Sequence, residues 1–186
     1  RVGSFYLDAY ARPNKRSGAW MDECVGRKRL ASGAALPVAY LVCNFLPPGA
    51  GKPALLTHDD VVTLFHEFGH GLHHLLTRVD YPSLAGINGV AWDAVELPSQ
   101  FLENYAWHPE VLQQISGHFE SGAALPEEMQ SRLIATRSFQ AGLAMMRQLE
   151  FALFDFRLHT EYSPGRGGRV LEILAEVRRE VAVVPV

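Results

Sequence analysis

The sequence is poor in the features that mark several protein classes. It carries two cysteines in 186 residues, Cys24 and Cys43. Their spacing fits neither a disulfide framework nor a four-ligand zinc pattern, so both read as reduced thiols of a cytoplasmic protein. No apolar run approaches the roughly 20 residues that cross a bilayer, so no helical membrane span is expected. The formal net charge is only −3, which gives no general attraction to nucleic acid or to an anionic membrane. There is no internal repeat, no low-complexity tract and no signal-peptide pattern after Arg1. The first residue is not Met, and the last four, Val183 to Val186, are apolar around one proline, so the chain reads as an excised piece of a longer protein. What is present is ordinary for a globular protein: 48% hydrophobic and 20% charged residues, in a chain long enough for one domain with a core.

One stretch, 57–77, stands out. Within it lies His66-Glu67-Phe68-Gly69-His70. Residues four apart share a helix face, so two imidazoles at this spacing can close on one ion. Zinc accepts neutral imidazole nitrogen at about 2.0–2.1 Å. Glu67, one step along, is offset by roughly a third of a turn, which suits a carboxylate that stands beside the metal and takes a proton from water. The helix itself is signalled by Thr57 and Asp60 as a capping box, with Asp59 also at the positive dipole end. Val61, Leu64, Phe65, Phe68, Leu72, Leu75 and Leu76 recur at helical spacing and are expected to form the buried face. Gly69 and Gly71 each cost about 0.8–1.0 kcal/mol relative to Ala in a helix, so each is expected where another backbone or a substrate comes close.

Three strand-like segments precede this helix, at 3–10, 18–27 and 37–46. An exposed edge there suits pairing with an extended peptide. After the helix, 78–91 reads as a loop whose glycines make either a hinge or a plain connector. A second helix is expected over 92–107, capped by Asp93. Pro98 inside it requires either a late start or a kink. Further helices are expected near 109–116 and 126–136, each opened by a proline, then over 138–160 and 170–181. The stripe of Leu143, Met146, Leu149, Leu153 and Phe156, widened by Phe151, Phe154 and Leu158, implies burial on several sides. Glu172, Glu176, Arg179 and Glu180 read as a solvated face. The expected architecture is therefore α+β and mainly helical. A small sheet region (1–56) is followed by the zinc-site helices (57–107) and helical support (108–186), in a single unit.

A catalytic zinc has three protein ligands and one open position. Glu96, on the next expected helix, is the best candidate for the third. Glu103 and Asp93 are candidates for orienting the ligand histidines, since such histidines donate their other N–H to an outer carboxylate or carbonyl. His73, near the metal face, is a candidate substrate contact. His58 reads as a surface residue and His74 as a weaker version of His73. Manganese or cobalt suits the same donors.

His66-Glu67-Phe68-Gly69-His70 together with Glu96-Leu97-Pro98-Ser99-Gln100-Phe101-Leu102-Glu103-Asn104 resembles the thimet-oligopeptidase (M3-type) family of zinc peptidases. Asp8-Ala9-Tyr10 with Arg12 and Lys15, and Arg147-Gln148-Leu149-Glu150-Phe151, extend the likeness across the chain. The resemblance implies a zincin-like fold and one zinc ion per chain, held by His66, His70 and Glu96. It implies Glu67 as general base, and cleavage of short peptides in the cytoplasm by a monomeric parent whose deep channel excludes folded proteins. The sequence also departs from that family. A downstream Gly- and Tyr-rich segment, whose tyrosine and histidine hold substrate and oxyanion, has no counterpart before Val186, and neither does a large N-terminal helical part. This chain by itself is thus expected to hold the ion and hydrolyse weakly, since one lost oxyanion donor costs about 100- to 1,000-fold in turnover. The alternatives are a zinc-holding module without catalysis, which would need a fourth protein ligand, and a metal-free helical interaction domain.

Overall fold

The computed structural model describes residues 1–49 and 51–184, and for Arg166 the backbone only. Pro185 and Val186 of the apolar tail lie outside them. The fold is α+β and mainly helical, in two compact units, 1–130 and 131–186. The helix α4 (Glu127–Thr136) runs across their boundary.

The first unit opens with a three-stranded sheet in the order β1 (Ser4–Tyr10), β5 (Val38–Phe45), β2 (Trp20–Val25). β5 is the central strand, parallel to β1 and antiparallel to β2. Its alternation places Ala39, Leu41, Cys43 and Phe45 in the core. A short hairpin, β3 (Lys28–Leu30) with β4 (Gly33–Ala35), sits between β2 and β5 in sequence and was not signalled, being too short to show a period of two. Lys15 ties the sheet together at one end. Its buried ammonium donates to the backbone carbonyls of Asp8, Tyr10 and Cys43, and lies 3.1 Å from the Asp8 carboxylate.

The helix α1 (His58–Leu75) starts where the capping box places it, with Thr57 and Asp60 bonding each other's backbone N–H. Its buried face differs from the apolar stripe expected. The most enclosed residues are Glu67, Gly69, His70, Gly71, His74 and Leu75, while Val61, Leu64, Phe65, Phe68 and Leu72 are half-buried and Leu76 is exposed. The glycines give the reason. A Cβ on Gly69 would lie 2.5 Å from Ser99 Cα, and one on Gly71 would lie 3.0 Å from Leu41 Cδ2. α1 is thus gripped on one side by the next helix and on the other by β5, and its polar face is the one they cover.

The second expected helix starts late. Residues 92–96 form turns, and α2 spans Leu97–Glu103 with Pro98 in its first turn, where a missing N–H costs nothing. Glu96, not Asp93, occupies the cap position. A 3₁₀ turn (Asn104–Trp107) and α3 (Pro109–Ile115) follow. The 78–91 segment is built from two short 3₁₀ turns and is well anchored. Arg27 holds Asp80 at 2.7 Å, and Asn88 donates to the Glu23 carboxylate at 2.7 Å.

The second unit contains α5 (Ala141–Glu161) and α6 (Val170–Val181). Ile173, Val177 and Val181 meet Met146, Leu153, Phe154 and Leu158 in its core. Phe151 and Phe156 are exposed, so the wide stripe on α5 is covered on one side only. Glu176 is not simply solvated: Arg157 bridges Glu161 and Glu176, each at 2.6 Å. Glu150 is enclosed between Arg147 at 2.7 Å and Arg178 at 2.9 Å. The Arg178 and Arg147 hydrogen bonds hold its carboxyl below the ordinary value of 4.5. A carboxyl lowered by folding stabilises the folded state above that ordinary value, and the contribution is lost as pH falls through the lowered one. Urea midpoints should therefore drop below about pH 4.5 more steeply for the parent than for Glu150→Gln. Equal slopes would remove this pair from the acid sensitivity.

No helix among the described residues is long and apolar enough to cross a membrane. Both cysteines are free thiols, and burial, aided by the nearby Glu67 charge, pushes the Cys43 thiol up to about 11.

Candidate metal centre

Three side chains from two elements converge. His66 and His70 lie one turn apart on α1, and Glu96 stands at the start of α2. Glu96 Oε2 is 3.1 Å from His66 Nε2 and 3.2 Å from His70 Nε2. Among the described residues, this is the one group of histidine, cysteine and carboxylate side chains arranged to hold a metal ion. Tetrahedral bonds of 2.0–2.1 Å put neighbouring ligand atoms about 3.3 Å apart; the Glu96 oxygen sits near that spacing from each imidazole nitrogen, and the three donor atoms all lie within 4.8 Å of one another. Two imidazoles and a carboxylate are the donor chemistry of a catalytic zinc site, and the residues fit that ion. Glu96 is half-exposed while His70 is buried, so the cluster opens to solvent on the glutamate side.

The histidines are prepared for ligation in different ways. His66 Nδ1 lies 2.6 Å from Glu103 Oε1. A carboxylate only accepts, and the Glu103 contact is shorter than the 3.1 Å contact of Nε2 with Glu96, so in the neutral ring Nδ1 carries the proton and Nε2 faces the cluster. Burial lowers the His70 pKa, which favours the neutral imidazole, against the opposing pull of Glu96. Its Nδ1 has no hydrogen-bond partner among the described residues.

Glu67 is buried on α1. Desolvation raises its pKa above the ordinary value, and repulsion from Glu96 adds to this, while His66 and a hydrogen bond from the Met21 N–H oppose it. Its Oε2 has no partner among the described residues. The group is thus a carboxylate of increased basicity with one oxygen uncommitted, next to His66 on the same helix and close enough to feel the charges of His66 and Glu96.

Of the other candidates, Asp93 is exposed in the turn before α2 and makes no hydrogen bond or ion pair with either ligand histidine among the described residues. His73 is half-buried and its Nδ1 has no partner among those residues. His58, expected at the surface, is half-buried. It packs edge-on against Trp107, with ring centroids 4.2 Å apart, and donates from Nε2 to the Ala106 carbonyl. His74 is wholly buried. It donates from Nε2 to the Val25 carbonyl, and Gly86, at φ 58°, lies so close that a Cβ would come 2.5 Å from His74 Nδ1. The signal for His74 was its place on the Glu67–His70 stripe at helical spacing. Ser99 was also missed. It is fully buried against Gly69, and its hydroxyl lies 3.0 Å from Glu96 Oε2.

Glu103 is expected to matter for affinity. Outer-shell partners of ligand histidines typically contribute about 10- to 100-fold in metal affinity. Glu103→Ala should therefore raise the zinc dissociation constant by that factor in a competition titration. An unchanged constant would show that the Glu103–His66 bond does not serve the metal.

A family model described as peptidase family M3 matches residues 1–186. The chain is 62% identical to oligopeptidase A of Escherichia coli strain K12 and 61% identical to oligopeptidase A of Salmonella typhimurium strain LT2, over 98% of this chain and 27% of each relative. It is 56% identical to oligopeptidase A of Haemophilus influenzae, again over 98% of this chain and 27% of the relative. The chain thus spans about a quarter of the length of the curated relatives it matches.

Proposed function

The chain belongs to peptidase family M3, and from that premise we propose that it is the metal-binding core of a zinc-dependent oligopeptidase that hydrolyses short peptides. The observation that carries this reading is the meeting of His66 Nε2, His70 Nε2 and Glu96 Oε2, with the buried Glu67 next to His66 on the same helix. Oligopeptidase A is the name of the relatives above, which supports peptides as substrates; a cytoplasmic, monomeric parent is proposed with it on the family resemblance alone.

His66, His70 and Glu96 would hold the ion, which when bound supplies Lewis acidity that brings a water pKa toward about 7 and polarises a carbonyl. Glu67 does the proton work. Its raised basicity suits it to take a proton from the attacking water and to return it to the leaving amine. Glu103 keeps the His66 ring in one tautomer and one orientation. The half-exposed side of Glu96 leaves an approach for a substrate carbonyl.

The test is a quenched-peptide assay on the full-length protein with metal analysis. The expected result is about one zinc per chain and hydrolysis that stops with a chelator and returns with zinc. Metal binding without hydrolysis would favour a non-catalytic metal-holding module, and the absence of metal would favour a helical interaction domain.

A further inference from the structure

We propose that Ser99 is a positioning residue for Glu96: its hydroxyl donates to Glu96 Oε2 and fixes the carboxylate in the orientation that meets both imidazoles. This rests on the metal-centre reading above and adds a residue to it.

The hydroxyl has one proton and two acceptors in reach, the Glu96 carbonyl at 2.9 Å and Glu96 Oε2 at 3.0 Å. A serine bonding the carbonyl three residues earlier is an ordinary first-turn contact. Here that carbonyl already accepts the Gln100 N–H at 2.9 Å. The carboxylate oxygen is charged, and hydrogen bonds to ionised acceptors are about twice as strong as neutral ones. The proton therefore goes to Oε2, the same oxygen that lies 3.1 Å and 3.2 Å from the two imidazole nitrogens.

Apart from Ser99, the Glu96 carboxylate oxygen is held, among the described residues, only by the imidazoles it has to meet. The Glu96 side chain is half-exposed, and a solvated glutamate samples several rotamers. Ser99, in contrast, has no solvent exposure and lies against Gly69, where α1 and α2 come so close that no Cβ fits. The serine is therefore fixed by packing on the helix that carries both histidines. It passes that rigidity to the third ligand across one hydrogen bond. Gly69, Ser99 and Glu96 form one chain of contacts from the imidazoles' own backbone to the carboxylate.

The experiment is a zinc titration of the metal-free full-length protein against a competing chelator, with parent, Ser99→Ala, Ser99→Cys, Glu96→Ala and the double variant Glu96→Ala/Ser99→Ala. Ser99→Ala should raise the dissociation constant by about 10- to 100-fold, the usual scale for outer-shell partners. Ser99→Cys, similar in size but a weak donor, should do the same and carries the test if the alanine variant fails to fold. Once Glu96 is gone, removing Ser99 should change affinity no further, because the serine acts through it. Unchanged affinity in the serine variants, or full additivity with Glu96→Ala, overturns the proposal. A parent protein that binds no zinc overturns the metal-centre reading instead.

Discussion

Glu67→Gln in the full-length protein is expected to lower peptide hydrolysis by about 10²- to 10⁴-fold, the usual contribution of a general base, while zinc content stays at that of the parent. Gln keeps the shape of Glu67 and removes its ability to accept a proton. The ligands His66, His70 and Glu96 are untouched, so a loss of activity together with metal would point to a structural effect. The raised pKa of Glu67 adds a second, independent readout. A carboxyl raised by folding favours the folded state while protonated; that contribution is complete below the ordinary value of 4.5 and is lost as pH rises through the raised one. At pH 7 the metal-free protein therefore carries the cost of a buried charge that Gln does not. Metal-free Glu67→Gln should melt higher than the metal-free parent at pH 7, and the gap should close in acid. Normal turnover by this variant would remove Glu67 from the proton-transfer role.

Gly69→Ala has the next largest expected effect, and it opposes helix propensity. In an open helix this change stabilises by about 0.8–1.0 kcal/mol. Here the new Cβ would lie 2.5 Å from Ser99 Cα, 2.7 Å from the Pro98 carbonyl oxygen and 3.0 Å from the Ser99 nitrogen. All three are backbone atoms and cannot rotate aside. Overpacking of this kind costs about 1–3 kcal/mol, so the propensity gain is offset or exceeded. The movement of α2 that relieves the clash also carries Glu96 away from the imidazoles. Zinc affinity should fall by at least about tenfold, because outer contacts that set ligand position have effects on that scale. Gly71→Ala is the matched control. Its added Cβ meets the end of the Leu41 side chain at 3.0 Å, which can shift, so metal affinity should change little. If Gly69→Ala melts above the parent and binds zinc as tightly, the close crossing does not position the site.

The parts of this fold that were legible in sequence are those written in local chemistry. Thr57 and Asp60 form the capping box they spell, and Pro98 shortens its helix to a late start at Leu97. The central strand is a strong apolar run and emerges as β5. The spacing of His66 and His70 needed only helix geometry, whereas the choice of Glu96 needed the expectation of a neighbouring helix. What was not legible depends on which faces meet. The apolar residues of α1 suggested a greasy buried face, yet its two glycines invite neighbours onto the side bearing Glu67, His70 and His74. Nothing local marks Glu23 as the partner of Asn88, 65 positions away. Ser99 was hidden for another reason: it is near Glu96 in sequence, but its complete burial is something only the packed structure reveals.

The central claim is that His66, His70 and Glu96 hold one ion. Anomalous scattering at the zinc edge from crystals of the full-length protein tests it most directly. The account predicts a single peak about 2.0–2.2 Å from His66 Nε2, His70 Nε2 and a carboxylate oxygen of Glu96. A peak elsewhere, or a zinc at the imidazoles with the Glu96 carboxylate turned away in an intact core, would contradict it.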